Sequence, residues 1–263
     1  MAFKTPWALL MAALLFLAGL APGLAAAAGT AHKPSPQQVL QMLREGNARF
    51  VAGNPLRLHQ DQARLGQAGR EDQADHAYAT VLTCSDSRVP VEIIFDAGVM
   101  DIFVVRVAGN VVKTDEAGSI EYGLAHVKTP LLVVLGHTQC GAVTAVASEV
   151  LGHGHPLERN IPPLVAPIIP AVRAALVAHP QARGKDIVPY AIEQNVWQSI
   201  GDLFLQSAAT RQLVQSGAAK VVGAIYDVGT GRVRWLPEAE SARLLQKAAQ
   251  DPRRAKEAMA PGK

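Results

Sequence analysis

The chain has 263 residues, 49% hydrophobic and 18% charged, with a formal net charge of +3. That length and apolar content suffice for one well-packed core. The near balance of charge, with no block of Lys or Arg, argues against nucleic acid as a partner. Aromatics are few (5%) while Ala is abundant, which favours helices packed closely on a sheet.

The first residues read as a targeting segment. Lys4 provides a short positive start, Trp7 to Leu20 is an apolar run without a charge, Pro22-Gly23 breaks it, and Ala25 to Ala28 offers small-residue cleavage sites. This is the pattern of a secretory signal peptide occupying residues 1–28, with cleavage near Ala26 or Ala28. The run is shorter than the roughly 20 residues a membrane span needs. No Cys stands near the cleavage region to carry a lipid, and no Arg-Arg pair points to twin-arginine export. Residues 29–263 are then expected to be one exported domain, periplasmic or secreted, with no membrane attachment after cleavage. In an oxidising compartment two cysteines usually mean one disulfide, so a Cys84–Cys140 bridge is the first alternative to any chemistry at those residues.

In the mature chain, Ser35 reads as a helix N-cap, with Pro36 at the first helical position and Gln38 completing a capping box. That helix runs to Phe50 and stops at Gly53-Asn54-Pro55. His59 to His76 is polar with little periodicity, a helix fragment and a loop. The apolar, β-branched run Tyr78 to Thr83 predicts a buried parallel strand. Val89-Pro90 starts a short helix through Ile94, and Ile102 to Val107 is a second strand followed by a tight turn at Ala108-Gly109-Asn110. Asp115 to His126 is helical, and Leu131 to Leu135 is a third strand. Gly136 to Gly141 follows it as a loop, and Ala142 to Val150 is a helix. Gly152 to Pro156 is a loop carrying His153 and His155, read as solvated rather than metal-binding. Helices are predicted over Pro162 to Val177 and Ile187 to Ser207. Ala219 to Tyr226 is a fourth strand; Gly229 to Gly231 turns the chain and Arg232 to Leu236 pairs back antiparallel. Glu238 to Gln250 forms a terminal helix. The predicted fold is α/β: a central, mostly parallel sheet of four strands plus an antiparallel edge strand, flanked by helices.

Two short motifs follow parallel strands, where open α/β sheets place their chemistry. Cys84-Ser85-Asp86-Ser87-Arg88 follows the first strand, and His137-Thr138-Gln139-Cys140 follows the third. They contain the only two cysteines in the chain. Cys84, His137 and Cys140 offer zinc two thiolates and an imidazole. A structural zinc site normally has a fourth permanent protein ligand, and only Asp86 is at hand to provide one. Three ligands with an open fourth position form the catalytic pattern, in which water is activated near pH 7. Asp86 and Arg88, two residues apart on extended chain, can pair as carboxylate and guanidinium. Paired, Asp86 stays ionised and off the metal; freed, it can occupy the fourth position and inactivate the site. A structural ion pair is the alternative reading of these two residues.

Taken together, these motifs resemble the β-class carbonic anhydrases. The likeness extends from about Pro36 to about Trp235 and includes Glu45 to Phe50, Cys84 to Pro90, Phe103 to Arg106, Ala108 to Asn110, Ser119 to Tyr122, Gly136 to Gly141 and Ile225 to Asp227. It implies a single β-carbonic-anhydrase-like domain with an N-terminal helical arm. It also implies Zn2+-dependent interconversion of carbon dioxide and bicarbonate, by attack of zinc hydroxide on CO2. By similarity Cys84, His137 and Cys140 are the metal ligands, Asp86 and Arg88 the gating dyad, and Phe103 and Tyr122 line the substrate pocket. Gln73 is the nearest candidate for a substrate-facing Gln carried by some members. Arg106-Val107 replaces the family's frequent Arg-Asn, a subfamily difference. Members inhibited by non-catalytic bicarbonate have a Trp where this chain has Val81, so the open arrangement is expected. The family assembles as homodimers or homotetramers. Relatives that hydrolyse carbonyl sulfide or carbon disulfide define an alternative activity on the same fold; a non-catalytic exported zinc-binding protein is another.

Overall fold

A computed structural model describes residues 1–2 and 33–260. The predicted signal segment, beyond its first two residues, lies outside the described residues. Helix α1 (Pro36–Val51) starts at the predicted capping box. Ser35 Oγ accepts from the Gln38 amide at 3.3 Å, and the Gln38 side chain accepts from the Ser35 amide at 2.8 Å. These contacts satisfy donors that a helix start otherwise leaves unpaired. Helix α2 (Gln62–Ala68), capped by Asp61, is the helical fragment within the polar stretch.

Strand β1 (Ala79–Thr83), helix α3 (Val91–Ile94), strand β2 (Ile102–Arg106) and helix α4 (Thr114–Glu121) follow. Where one helix to His126 is predicted, α4 gives way to a π-turn at Tyr122–His126. Gly123 sits there so close to β1 that a Cβ would lie 2.4 Å from Thr80 Oγ1. Only a residue without a side chain lets the widened turn settle on the sheet.

Strand β3 (Leu131–His137) is two residues longer than predicted. Strand β4 (Lys220–Tyr226) runs beside it far enough to pair with Gly136 and His137, which therefore belong to the sheet rather than to a loop. Between these strands lie α5 (Gly141–Val150), α6 (Ile161–Val165), α7 (Ile169–Ala178), α8 (Val188–Gln206) and α9 (Ala208–Gln215). The helix predicted from Pro162 divides into α6 and α7, in a stretch where Pro163, Pro167 and Pro170 each lack a backbone donor. Helix α9 has no counterpart in the sequence reading. Ser207 is extended, ends α8 and caps α9 through its hydroxyl. Strand β5 (Val233–Trp235) and helix α10 (Glu238–Gln250) complete the order.

The sheet has five strands in the order β2-β1-β3-β4-β5. The first four are parallel and β5 is an antiparallel edge, as the sequence pattern indicates. Alternation along the strands builds two apolar layers. Ala79, Val81, Leu131, Val133 and Leu135 pack with Val39 and Leu43 of α1. Leu82, Leu132 and Val134 belong to the opposite layer, with Val196, Ile200 and Phe204 of α8. Fully burying one such side chain contributes roughly 1.5–3 kcal/mol. With helices on both faces, the carboxyl ends of the parallel strands are where the chemistry is presented.

Candidate metal centre

Thr83, the last residue of β1, pairs with Leu135 of β3. Cys84 therefore leaves the sheet beside Gly136 and His137, and Cys140 follows as the N-cap of α5. The ligand atoms of Cys84, His137 and Cys140 lie within 4.8 Å of one another, and all three residues are buried. Both cysteines are free thiols, so the disulfide alternative is not the arrangement found.

His137 carries the fit test for a metal. Its Nδ1 pairs with the Thr138 carbonyl at 2.9 Å, which requires the proton on Nδ1 and leaves a lone pair on Nε2. Nε2 is buried and has no hydrogen-bond partner among the described residues. A buried acceptor left open costs about 1–3 kcal/mol. An imidazole nitrogen facing two sulfurs is a donor set that zinc satisfies, and the carbonyl on Nδ1 is the usual outer partner of a ligating His. The neighbouring Cys140 lowers the Cys84 pKa, burial opposes this, and the Gly109 N–H assists it. Cys140 is shifted upward, first by its hydrogen bond to Cys84 and then by burial.

Asp86 and Arg88 form the predicted ion pair. Arg88 Nε donates to Asp86 Oδ1 at 2.9 Å and Nη2 to Oδ2 at 2.7 Å, while the Arg88 amide donates to Oδ1 at 2.9 Å. These bonds hold the carboxyl well below the usual carboxylate range. Asp86 Oδ2 remains 4.0 Å from His137 Nε2, beside the ligand cluster. Arg88 is in turn fixed by Gln139, whose carbonyl accepts from Nη2 at 3.1 Å and whose side chain accepts from Nη1 at 3.3 Å. Arg106, at the end of β2, donates to the Cys84 carbonyl at 3.1 Å and to the Asp86 carbonyl at 2.6 Å. Sequence reasoning missed both supports. Their signal was position: Gln139 lies inside the second motif, and Arg106 is a charge at the carboxyl end of a strand.

The aromatic pair is placed elsewhere. Phe103 pairs with Thr80, four residues before Cys84, or roughly 13 Å along the strand. Tyr122 stands 6.0 Å from it, half exposed, and stacks on His126. Within one chain the structure does not bring Phe103 and Tyr122 to the metal cluster. Gln73 is exposed in a turn before the amino end of β1, at the opposite end of the strand from Cys84. His153 and His155 lie exposed after α5 and join no metal-ligating group among the described residues.

A mostly parallel five-stranded sheet with a Cys-His-Cys cluster at its carboxyl end defines a β-class carbonic anhydrase, a class of zinc enzymes. The carbonic anhydrase family profile matches residues 79–233, and the chain belongs to that family. It is 38% identical over 199 residues to a carbonic anhydrase of Mycolicibacterium smegmatis, covering 76% of this chain and 92% of that one. Identity to carbonic anhydrase 2 of Mycobacterium tuberculosis is 35% over 200 residues, covering 75% and 91%. Among solved structures, the β-carbonic anhydrase CafA of Aspergillus fumigatus superposes with a TM-score of 0.59 at 25% identity, covering 82% of this chain and 99% of that one.

Proposed function

We propose that this carbonic anhydrase hydrates CO2 with Cys84, His137 and Cys140 as its zinc ligands and Asp86 and Arg88 as its working dyad. The observation that carries this reading is the partnerless, buried His137 Nε2 facing a carboxylate that Arg88 holds 4.0 Å away. Zinc held there supplies the Lewis acidity that makes hydroxide available near neutral pH. Asp86, ionised and acceptor-only, takes a hydrogen bond from the O–H of the nucleophile and turns its lone pair toward the CO2 carbon. Arg88 keeps Asp86 charged and prevents it from swinging onto the cluster. Gln139 and Arg106 fix the two ends of this arrangement, so the dyad is oriented before substrate arrives. The reaction forms one C–O bond and releases bicarbonate and one proton.

The enzyme is read as exported, with residues 1–28 removed, and as a homodimer or homotetramer. Two fungal β-carbonic anhydrases of similar fold are described as tetrameric. Assembly also offers Phe103 and Tyr122 a role: Phe103, partly buried in edge strand β2, and the half-exposed Tyr122 beside it can line the pocket of a neighbouring copy. Stopped-flow CO2 hydration by zinc-loaded mature protein, with Cys84→Ser as control, tests the activity. A rate no higher than that of the control, or turnover of carbonyl sulfide or carbon disulfide in place of CO2, would overturn it. N-terminal sequencing of the exported protein tests cleavage near Ala26 or Ala28. Light scattering tests assembly, and a monomer that retains full activity would remove the role of the neighbouring copy.

A further inference from the structure

The Gly109 amide donates to Cys84 Sγ at 3.3 Å, a contact between the Ala108–Asn110 turn and the metal cluster. The turn is closed by the Asn110 N–H donating to the Val107 carbonyl at 3.0 Å. Gly109 has φ of +76° and Asn110 of +45°, both left-handed, and a Cβ on Gly109 would lie 2.6 Å from Ile168 Cδ1. Glycine is needed there on both counts. The two carbonyls after that amide are captured from α8. Asn195 Nδ2 donates to the Gly109 carbonyl at 2.7 Å, and Ser199 Oγ shares its one proton between the Asn110 carbonyl at 2.8 Å and the Asn195 carbonyl at 2.9 Å. One helical turn apart, these side chains present two donors on one face of α8. Asn195 and Ser199 are each only 1% exposed.

The second end of Asn195 shows that this arrangement costs stability. Its Oδ1 is buried and has no hydrogen-bond partner among the described residues. An apolar residue of similar size would leave no such atom, so packing alone does not account for an amide here. What the amide does is hold a peptide whose neighbouring N–H points at a sulfur. Hydrogen bonds to a ligand's donor atom govern its orientation and its strength toward a metal.

We propose that Asn195 and Ser199 are positioning residues for Cys84: by holding the Gly109 and Asn110 carbonyls they keep the Gly109 N–H aimed at the ligand sulfur, and thereby set zinc affinity. This rests on the reading of Cys84 as a zinc ligand. The test uses the full mature protein with Asn195→Leu and Ser199→Ala. Zinc affinity is measured by competition with a chromophoric chelator. The thiolate-to-metal charge-transfer band of cobalt(II)-loaded protein is recorded alongside the melting temperature of the metal-free form. Asn195→Leu is expected to weaken zinc roughly 10–100-fold, the range for loss of an outer partner, and to move the charge-transfer band. Ser199→Ala should give a smaller change in the same direction. Unchanged zinc affinity and an unchanged band, even with a lower melting temperature, would reduce both residues to packing and overturn the proposal. Should Asn195→Leu fail to fold, Ser199→Ala carries the decision by the same two readouts. Wild-type protein that takes up no zinc and shows no thiolate band with cobalt would overturn the ligand reading as well, an outcome distinct from a variant-specific null.

Discussion

The two ends of the parallel sheet treat buried polar groups in opposite ways. At the amino end of β1 and β2 the buried Thr80, Thr129 and Asp101 all find partners. Thr80 and Thr129 share a hydrogen bond of 2.6 Å, and Thr129 also donates to the Gly123 carbonyl at 3.1 Å. Asp101 accepts from His59, Arg64 and the Gly98 amide. At the carboxyl end, His137 Nε2 is buried and open, two thiols face it, and a carboxylate is held beside it by a guanidinium. A protein interior normally satisfies its polar atoms. Of the buried atoms left open among the described residues (Asn110 Nδ2, His137 Nε2, Asn195 Oδ1 and Ser241 Oγ), only His137 Nε2 belongs to a cluster of metal-ligating atoms with two sulfurs, where a metal would satisfy it.

The largest expected effect comes from breaking the open end directly. Cys84→Ser or His137→Ala should abolish zinc uptake and CO2 hydration, a loss exceeding the roughly 10–100-fold cost of removing an outer partner. Metal analysis and stopped-flow rates check this, and full zinc content in either variant would contradict the ligand set. Next is Arg88→Ala, which should retain zinc while kcat/KM falls on the order of 10–100-fold, matching about 1.5–3 kcal/mol for hydrogen bonds to a charged group. Wild-type rates would remove the dyad from the mechanism.

At the closed end, Thr129→Val keeps the shape but removes the hydroxyl and takes the partner from Thr80 Oγ1, while the Gly123 carbonyl keeps the Thr129 amide at 3.0 Å. With the buried Thr80 hydroxyl left unpartnered, it should cost about 1–3 kcal/mol in denaturant unfolding with zinc content unchanged; loss of zinc in this variant would erase the contrast between the ends. The smallest effect concerns Asp202 in α8, away from both ends. Burial raises its pKa to about 6, with only the Gln198 side chain as partner. The folded state therefore holds this proton more tightly than the unfolded chain, so stability falls as pH rises from about 4 through about 6. Asp202→Asn should stabilise the protein above that range by about 1–2 kcal/mol, after discounting for partial exposure, and do nothing below about pH 4. A melting-temperature gain that is equal at pH 4 and pH 8 would refute the assignment.

Much of the site was legible because its residues are confined to two short motifs. Cys84, Asp86 and Arg88 span five positions, and His137 and Cys140 span four. The apolar runs before them identify strands, and parallel strands bring their ends together. The supports were not legible. Asn195 and Ser199 look like ordinary polar residues of a helix, and only the seating of α8 over the Ala108–Asn110 turn gives them partners. Phe103 and Tyr122 were readable as a family pattern, yet in one chain they stand roughly 13 Å up the strand from Cys84. The extra helix α9 was invisible because Ser207, a polar residue among helix formers, interrupts the chain without Gly or Pro.

By itself the sequence determined the class of fold, the three soft donors and the neighbouring carboxylate and guanidinium, because local spacing and residue chemistry suffice for these. The tertiary structure decided which atoms of those residues are open. Backbone pairing carries His137 into the sheet beside Tyr226 and buries its Nε2. Gln139 and Arg106 hold the dyad from two different strand ends. Whether a polar atom is satisfied depends on groups far away in sequence, and only their packing in space supplies the answer.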